Sequence, residues 1–542
     1  MSLLLNEESN PYIIASAHRV KTDSLCFHFS WPIILAILQI FIFVAFFGSD
    51  FSIIHPPDQN GLRCGVNNAK YGKGLLDNKN LILLSYSGEC VRRCNGKKFM
   101  SYCIPSDKKL LAHSTKSFKA AADFSVYVSF AFILIGILIV LSLPIYFLFI
   151  KSASLVSLIS LISLIVLFSI STIYEIIQKE FLIACFIASI GIFYVLFNFY
   201  LRKRINSIHQ IVTASFSIIK KNKSIFLAPF FILVFIVMIT IFVLFGVILS
   251  EGVSDPIPLQ NGLRQSHHQS LTATTALFPV IGLWFSEFII AWVRSAISLI
   301  ISSSYFQIHA PTFSEALGLI AHFHTGTMLV GSFIIFCLEQ LSNFFIFIRQ
   351  KMATTKNTFV KFLCKCILNV CFCCVQFAGE VNRLSFVYTA VKGVSFWDGC
   401  KKASNALKIE SVLNMDLLLN NVLLSIRVLL SFISLVVVFI YQQKIELYLP
   451  MIPIIWIPMT VYIALASIDI TIGASSETIL VCLCEDVQSN EYHGPKDLEN
   501  ILKYLKEKVV QETFNDDIDT EKEITQDRNQ YVSLPIPLEE EI

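Results

Sequence analysis

Apolar segments of roughly 20 residues, the length at which a helix crosses a bilayer, recur along most of this chain. Hydrophobic residues make up 55% of its 542 residues, and charged residues only 15%. A soluble protein of this length would carry about twice that share of charge. Composition and pattern therefore predict an all-α polytopic membrane protein with about ten transmembrane helices and a large extracellular loop after the first.

The apolar segments divide the chain into five regions. These are a polar leader at 1–29, a first transmembrane helix at 30–48, a polar loop at 49–123, a helical bundle of spans two to ten at 124–484, and a tail at 485–542. Arg19 and Lys21 precede the first span, and Arg202, Lys203 and Arg204 follow the fourth. Because positive flanks favour the cytosol, we expect the leader and the tail to be cytosolic and the loop to be extracellular. The tail turns acidic towards its end, where we expect disorder.

Within the bundle, the spans are expected at about 124–149, 155–177, 181–200, 225–249, 282–305, 326–347, 377–394, 417–441 and 451–475. The segment 377–394 is the least regular of these. Without it, nine spans would place the tail outside the cell. With it, the basic stretch 349–365 lies on the outer side, against the usual charge rule. Apolar periodicity also predicts an amphipathic helix at 205–219 on the inner surface and a short helix at about 495–510.

Four cysteines lie in the polar loop, at Cys64, Cys90, Cys94 and Cys103. An extracellular loop lies where disulfides persist, so we expect all four to be disulfide-bonded. Four cysteines allow three pairings, and the sequence does not choose among them.

A second group of cysteines lies in the apolar run before the eighth span, at Cys364, Cys366, Cys371, Cys373 and Cys374. No histidine accompanies them and their spacing fits no zinc ligand set, so we predict no metal here. Apolar packing and palmitoylation beside the membrane are the two interpretations that remain.

The sixth span carries two charges, Glu287 and Arg294, inside its apolar run. Helical geometry places both on one polar face, which also includes Ser298, Ser302 and Tyr305. A charge facing lipid would cost at least ~2.5–3.5 kcal/mol, so this face should line the bundle interior or a water-filled path. Either the two charges neutralise each other, or the face lines a pore or a substrate site.

A third intramembrane charge, Arg427, lies near the middle of the ninth span. An isolated cation at that depth is costly, so we expect it to be paired. The available carboxylates are Glu287, Glu339 and Asp469, and the sequence does not distinguish among them.

Several short motifs follow one another in a fixed order. They are Arg19 to Cys26 before the first span, Gly61 to Gly65 and Cys90 to Cys94 in the loop, Trp284 and Tyr305-Phe306 in the sixth span, His324 to Gly331, Asn382-Arg383, and Glu477-Thr478 with Cys482 to Asp486. In their order and spacing they resemble the choline transporter-like family of solute carriers. Two positions depart from that family's pattern: Leu384-Ser385-Phe386 replaces its Asn-Ala-Tyr, and Glu477 replaces its aspartate.

The resemblance implies a ten-span plasma-membrane carrier that takes up choline, a phospholipid precursor, or a related small amine or quaternary ammonium solute. It implies no enzymatic activity and no cofactor, with the small cation and membrane lipids as partners. A net charge of +3 is too small to indicate a nucleic-acid partner. The exact substrate, the coupling mode and the oligomeric state stay open.

A quaternary ammonium has no N–H group, so a protein must hold it with aromatic ring faces, worth ~0.5–2 kcal/mol each, and with a nearby carboxylate. Trp284 and Glu287 lie one helical turn apart and are the first candidates for substrate binding. Trp292, Phe386 and Tyr388 are weaker ones. Tyr305 lies about five turns further along the same helix, too far for the same cage, and is a candidate inner gate.

Two other functions compete with transport. An ion or water channel would be expected to contain a repeated glycine-rich loop as its filter, and the sequence does not show one. A lipid-handling membrane enzyme would need clustered histidine, aspartate or serine at the membrane face. His309, His322 and His324 come closest to such a cluster, but the place of His322 and His324 at the start of a span is more typical of interfacial or helix-capping groups.

Overall fold

The computed structural model describes part of the chain continuously. Those stretches are 19–24, 55–71, 78–99, 101–105, 205–252, 257–259, 262–264, 269–353, 378–408, 410–443, 451–489, 492–495, 498–503 and 505–507, with scattered single positions or short runs within 27–42 and 133–196 and at 375. Apart from such scattered positions, the predicted spans one to four lie outside the described residues. The cysteine run 364–374 and the acidic end of the tail lie outside them as well.

A small four-stranded sheet forms in the loop after the first span. Its strands are β1 (Leu83–Ser85), β2 (Cys90–Val91), β3 (Lys97–Phe99) and β4 (Tyr102–Ile104), in the order β2-β1-β4-β3. Strands β1 and β4 pair in parallel, and the two outer pairs are antiparallel. A 3₁₀ helix, Asn68–Tyr71, precedes them.

Two disulfides hold this sheet, Cys64–Cys90 and Cys94–Cys103. They confirm the expectation that all four cysteines of the loop are bonded, and they select one of the three pairings. Around them, Cys64, Leu84 and Ile104 form a very small buried cluster. A core of this size contributes little burial, so the cross-links supply much of the loop's order.

The remaining described elements are helices and one hairpin. They are α1 (Ile205–Lys221), a 3₁₀ turn (Lys223–Leu227), α2 (Ala228–Gly252), the hairpin β5 (Ile257–Leu259) and β6 (Gly262–Arg264), α3 (Gln269–Tyr305), α4 (Phe313–Phe323), α5 (Thr325–Ala353), α6 (described over 378–392), α7 (Phe396–Lys408), α8 (Glu410–Gln443) and α9 (Met451–Ser489).

Five helices of the described part are long and apolar enough to cross a membrane. They contain Lys223–Ser250, Thr275–Tyr305, Thr325–Ile348, Leu419–Val438 and Ile455–Ser489. These match the predicted spans five, six, seven, nine and ten. The last helix runs unbroken from Met451 to Ser489, so the segment Thr478–Cys484, which the sequence leaves as an optional extension of the tenth span, belongs to it. The predicted eighth span is helical at least over 378–392, where Leu384, Phe386 and Tyr388 are buried.

Helix α3 is the centre of the described bundle. It packs against α1, α2, α4, α5 and α9, while α8 packs mainly against α9. The predicted amphipathic helix is present as α1, and its apolar residues Ile211, Ile218 and Ile219 are buried in the main core. The short C-terminal helix likewise buries its apolar side, formed by Leu498, Ile501, Leu502 and Leu505, in that core.

The leader and the tail meet the same end of the bundle. The guanidinium of Arg19 donates to the carbonyl of Ala390 at 2.6 Å, close to the end of α6. Two residues further on, Lys392 pairs with Glu485 of α9, and the neighbouring Asp486 binds His493 of the tail. These contacts place the described residues of the leader and of the tail at the same end of the described bundle.

We predict that this shared end is cytosolic, because the basic leader lies there. Epitope tags at either terminus should bind antibody only after cells are permeabilised. A tag inserted in the loop between the first two spans is the matched control, and it should stain intact cells. Staining of a C-terminal tag on intact cells would contradict the prediction.

Candidate functional site

A buried ion pair joins the two longest described helices. Arg294 of α3 donates through Nη1 to Oε2 of Glu477 on α9 at 2.5 Å, and the side chains are 9% and 1% exposed. One residue further along α9, the hydroxyl of Thr478 donates to Ser298 Oγ of α3 at 2.8 Å. Arg294 thus pairs with a carboxylate of another helix and not with Glu287 on its own helix.

Arg427 of α8 is also paired with α9. Its Nε lies 3.3 Å from Oδ2 of Asp469. Asp469 is one of the three carboxylates among which the sequence could not choose. The guanidinium carbon also lies 4.4 Å from the centre of the Tyr462 ring. Tyr462 is on α9, about two turns before Asp469. A carboxylate and a ring face together compensate this cation where water is scarce.

At its C-terminal end, α9 carries two more paired carboxylates. Glu485 lies 2.5 Å from Nζ of Lys392, and Asp486 accepts from the phenol of Tyr305 at 2.7 Å. The tail closes over this contact: a Cβ atom on Gly494 would lie 2.5 Å from the Tyr305 oxygen, so only glycine fits there without a shift. Tyr305 is therefore buried and hydrogen-bonded at the end of α3, and its role as an inner gate stays a prediction.

Trp284 lies in a small aromatic cluster between α3 and α5. Its ring is 5.6 Å from that of Phe333 and 5.7 Å from that of Phe285, and it packs with Leu329 and Phe336. Trp284 is buried, whereas Glu287, one turn further along α3, is partly exposed. This is the pair that the sequence predicts for substrate binding, and the fold keeps both residues on the α5 side of α3.

Trp292 makes a different set of contacts. Its indole N–H donates to the carbonyl of Leu317 on α4 at 3.0 Å, and its ring stacks on Phe288 at 6.2 Å. Phe231 of α2 meets the same ring edge to face at 6.0 Å. Trp292 therefore joins α2, α3 and α4, which gives it a structural task besides any contact with a substrate.

Phe386 and Tyr388 of α6 are fully buried in the main core, each 1% exposed. Phe386 lies against Gly331 of α5, and a Cβ atom added to Gly331 would lie 2.5 Å from the Phe386 ring. The ring centroids of Phe386 and Phe396 are 6.0 Å apart. Both residues belong to a different packing cluster from Trp284. A substrate role for them stays a prediction.

The sequence did not predict a polar network that fastens the leader to the bundle. Arg19 donates to Nε2 of His324 at 3.0 Å, and because arginine has only donors, Nδ1 of this imidazole carries the proton. Nδ1 then donates to the hydroxyl of Thr22 at 2.7 Å. That hydroxyl donates to Thr327 at 2.7 Å, and Thr327 donates to Asp23 at 2.6 Å.

Asp23 completes the network by accepting the backbone N–H of Phe396 at 2.8 Å, at the start of α7. The leader thus caps a helix that lies more than 370 positions further along the chain. Burial, and then the charge of Arg19, lowers the pKa of His324 to about 3, so this imidazole is neutral. Burial also lowers the pKa of Arg19 to about 10.

The described residues include no group of three or more histidine, cysteine, aspartate or glutamate side chains that could hold a metal ion. Cys482 and Cys484 are buried free thiols of α9.

Long apolar helices, intramembrane ion pairs that face the interior, and a disulfide-bonded loop define a multi-pass membrane protein with a polar interior. Within that class, residues 182–488 match the family model of the plasma-membrane choline transporter. This match covers more than half of the chain, and the chain belongs to that family.

Curated relatives agree with this assignment. Choline transporter-like protein 2 of Rattus norvegicus is 22% identical over 277 residues, which cover 46% of this chain and 39% of the relative. Choline transporter-like protein 5 of Macaca fascicularis is 24% identical, over 42% of this chain and 34% of the relative. Choline transporter-like protein 4 of Xenopus laevis is 25% identical, over 42% and 36%. The chain therefore spans between a third and two-fifths of the length of these relatives.

We predict that Arg294→Ala lowers the stability of the protein, because it leaves the Glu477 carboxylate buried without its partner. Removing one member of a buried pair costs about 3–5 kcal/mol. The expected result is a clear loss of folded protein in detergent, measured as the monodisperse fraction after heating. The double variant Arg294→Met with Glu477→Gln removes both charges and should recover most of it. If Arg294→Ala were as stable as the wild type, Arg294 would not be needed to neutralise the buried Glu477 carboxylate.

Proposed function

We propose that this chain is a plasma-membrane transporter for choline or a related small amine or quaternary ammonium solute. We further propose that the cation binds in an aromatic-lined cavity between helices, with Trp284 and Glu287 at its centre and Trp292, Phe386 and Tyr388 as weaker candidates. Family membership and the names of the relatives support the substrate class.

The main support for this site is the observation that Arg294 pairs with Glu477 and not with Glu287. If Arg294 neutralised Glu287, this carboxylate would offer little attraction to a second cation. Because Arg294 instead pairs with Glu477, Glu287 does not serve as its salt-bridge partner. A bound cation would then have a carboxylate one turn from the Trp284 ring.

A second carboxylate strengthens this argument. Glu287 interacts electrostatically with Glu339 of α5, a helix that packs against α3, and to a smaller extent with Arg294 of its own helix. Two like charges at membrane depth repel each other, and a cation between them relieves that repulsion. The rings of Phe285 and Phe288 are partly exposed and that of Phe333 is 49% exposed, although Trp292 covers one face of Phe288. The ring surface that remains could contact a methylated ammonium group.

The network around His324 bears on the alternative of a lipid-handling enzyme. Both ring nitrogens of His324 are hydrogen-bonded, to Arg19 and Thr22, and its lowered pKa keeps it neutral. An imidazole used in this way holds the leader in place and has no free nitrogen for proton transfer. His324 belongs to the histidine group that suggested an enzyme. Its structural use therefore supports transport over catalysis.

The direct test is uptake of labelled choline into vesicles that contain only this protein. We expect uptake that saturates with choline concentration and is absent from protein-free vesicles. A current of inorganic cations without saturable choline uptake would support a channel. No choline uptake by folded, correctly inserted protein would overturn the proposal.

For the site itself, we predict that Glu287→Gln raises the half-saturating choline concentration several-fold while the amount of protein at the surface stays normal. Loss of one unit of attractive charge weakens cation binding but leaves the Arg294–Glu477 pair intact. Trp284→Ala should impair uptake more strongly, since it removes a ring as well.

The control for these two variants is Ser286→Ala. Ser286 lies between the two residues in sequence, and its hydroxyl donates to the carbonyl of Gly282 on its own helix at 2.9 Å. It should transport as the wild type does. Full transport by Trp284→Ala at normal affinity would remove this face of α3 from the binding site.

A further inference from the structure

Trp284 holds a buried hydrogen-bond donor that has no acceptor. The residue is only 9% exposed, and its indole Nε1 has no hydrogen-bond partner among the residues that the structure describes. Buried donors in native proteins are nearly always paired, and leaving one unpaired costs free energy. Trp292, two turns further along α3, shows the usual arrangement, because its indole donates to the carbonyl of Leu317.

The surroundings of Trp284 explain why its donor stays unpaired. Its described neighbours are apolar and have no side-chain acceptor: Phe27, Phe285, Phe288, Leu329, Phe333 and Phe336. The backbone carbonyls of α3 and α5 at this level are used within their own helices. The described residues thus leave this N–H without an acceptor, and a molecule that enters the cluster could supply one.

We propose that the indole N–H of Trp284 donates a hydrogen bond to the hydroxyl oxygen of the transported solute. This inference rests on the proposed function and makes Trp284 a specificity-determining residue of that site. The quaternary ammonium group lies against the open faces of the neighbouring phenylalanine rings, near Glu287. The oxygen at the other end of the solute meets the N–H edge of the indole.

This arrangement selects by the oxygen as well as by the charge. A site built around a hydrogen bond to the substrate rejects an analogue that lacks the bonding atom, because the buried group of the protein is then left unpaired. Wild-type protein should therefore prefer choline to n-propyltrimethylammonium, in which a methyl group replaces the hydroxyl. We expect the half-saturating or inhibitory concentrations to differ about tenfold, the ratio that corresponds to roughly 1.4 kcal/mol.

The decisive variant is Trp284→Phe, which keeps an aromatic ring and removes the donor. We expect the ratio between the two solutes to fall from about tenfold to near one, through weaker use of choline and not through better use of the analogue. Because the ratio is measured on one preparation, it does not depend on the amount of protein. Trp292→Phe is the matched control: it removes an indole donor from the same helix, and the ratio should stay at the wild-type value even if uptake falls.

A second measurement needs only the wild-type protein and so does not depend on the variant folding. (2-Methoxyethyl)trimethylammonium has an oxygen that accepts a hydrogen bond but cannot donate one. If the indole donates to the substrate, this ether should compete with labelled choline far better than the propyl analogue does. If the hydroxyl is recognised as a donor to a carboxylate, the ether should compete as poorly as the propyl analogue.

The outcomes separate the two claims. Saturable choline uptake with equal use of choline and the propyl analogue would overturn the role of the indole N–H and leave the proposed function standing. An unchanged preference in Trp284→Phe would also overturn it. Absence of choline uptake by folded wild-type protein would overturn the proposed function itself.

Discussion

The contact between α3 and α9 depends on the Arg294–Glu477 ion pair. Both charges are almost completely buried, so either one alone would be far more costly than the pair. The hydroxyls beside Glu477 extend the contact: Thr478 bonds Ser298 of α3, and Ser476 lies 3.2 Å from Ser215 of α1. A shift of α9 by one turn would break all three contacts at once, so these polar groups fix the register of three helices.

The same logic recurs along α9. Its four buried or nearly buried carboxylates pair with α8, α3, α6 and the tail, and each partner comes from a different part of the chain. In a membrane, apolar side chains give little preference for one helix neighbour over another, because lipid is equally apolar. The charges supply that preference. Any movement of α9 against the bundle must break or exchange these contacts.

The two glutamates of interest differ in what surrounds them. Glu477 lies inside the bundle and pairs with Arg294. Glu287 lies one turn from Trp284 on α3, interacts electrostatically with Glu339, and keeps part of its surface exposed. A cation held between rings and carboxylates exchanges its hydration shell for these groups, and Trp284 adds an N–H that the protein leaves unused.

The sequence by itself determined the place of the five described spans, the amphipathic nature of α1 and of the C-terminal helix, and the bonded state of the loop cysteines. These features follow from local hydrophobicity, periodicity and redox compartment, which neighbouring residues decide. The tertiary structure decided which charges pair. Arg294 and Glu477 are 183 positions apart, and Arg19 and His324 are 305 apart. Such contacts depend on how the helices pack, so composition and spacing could show that a partner was needed but could not choose it.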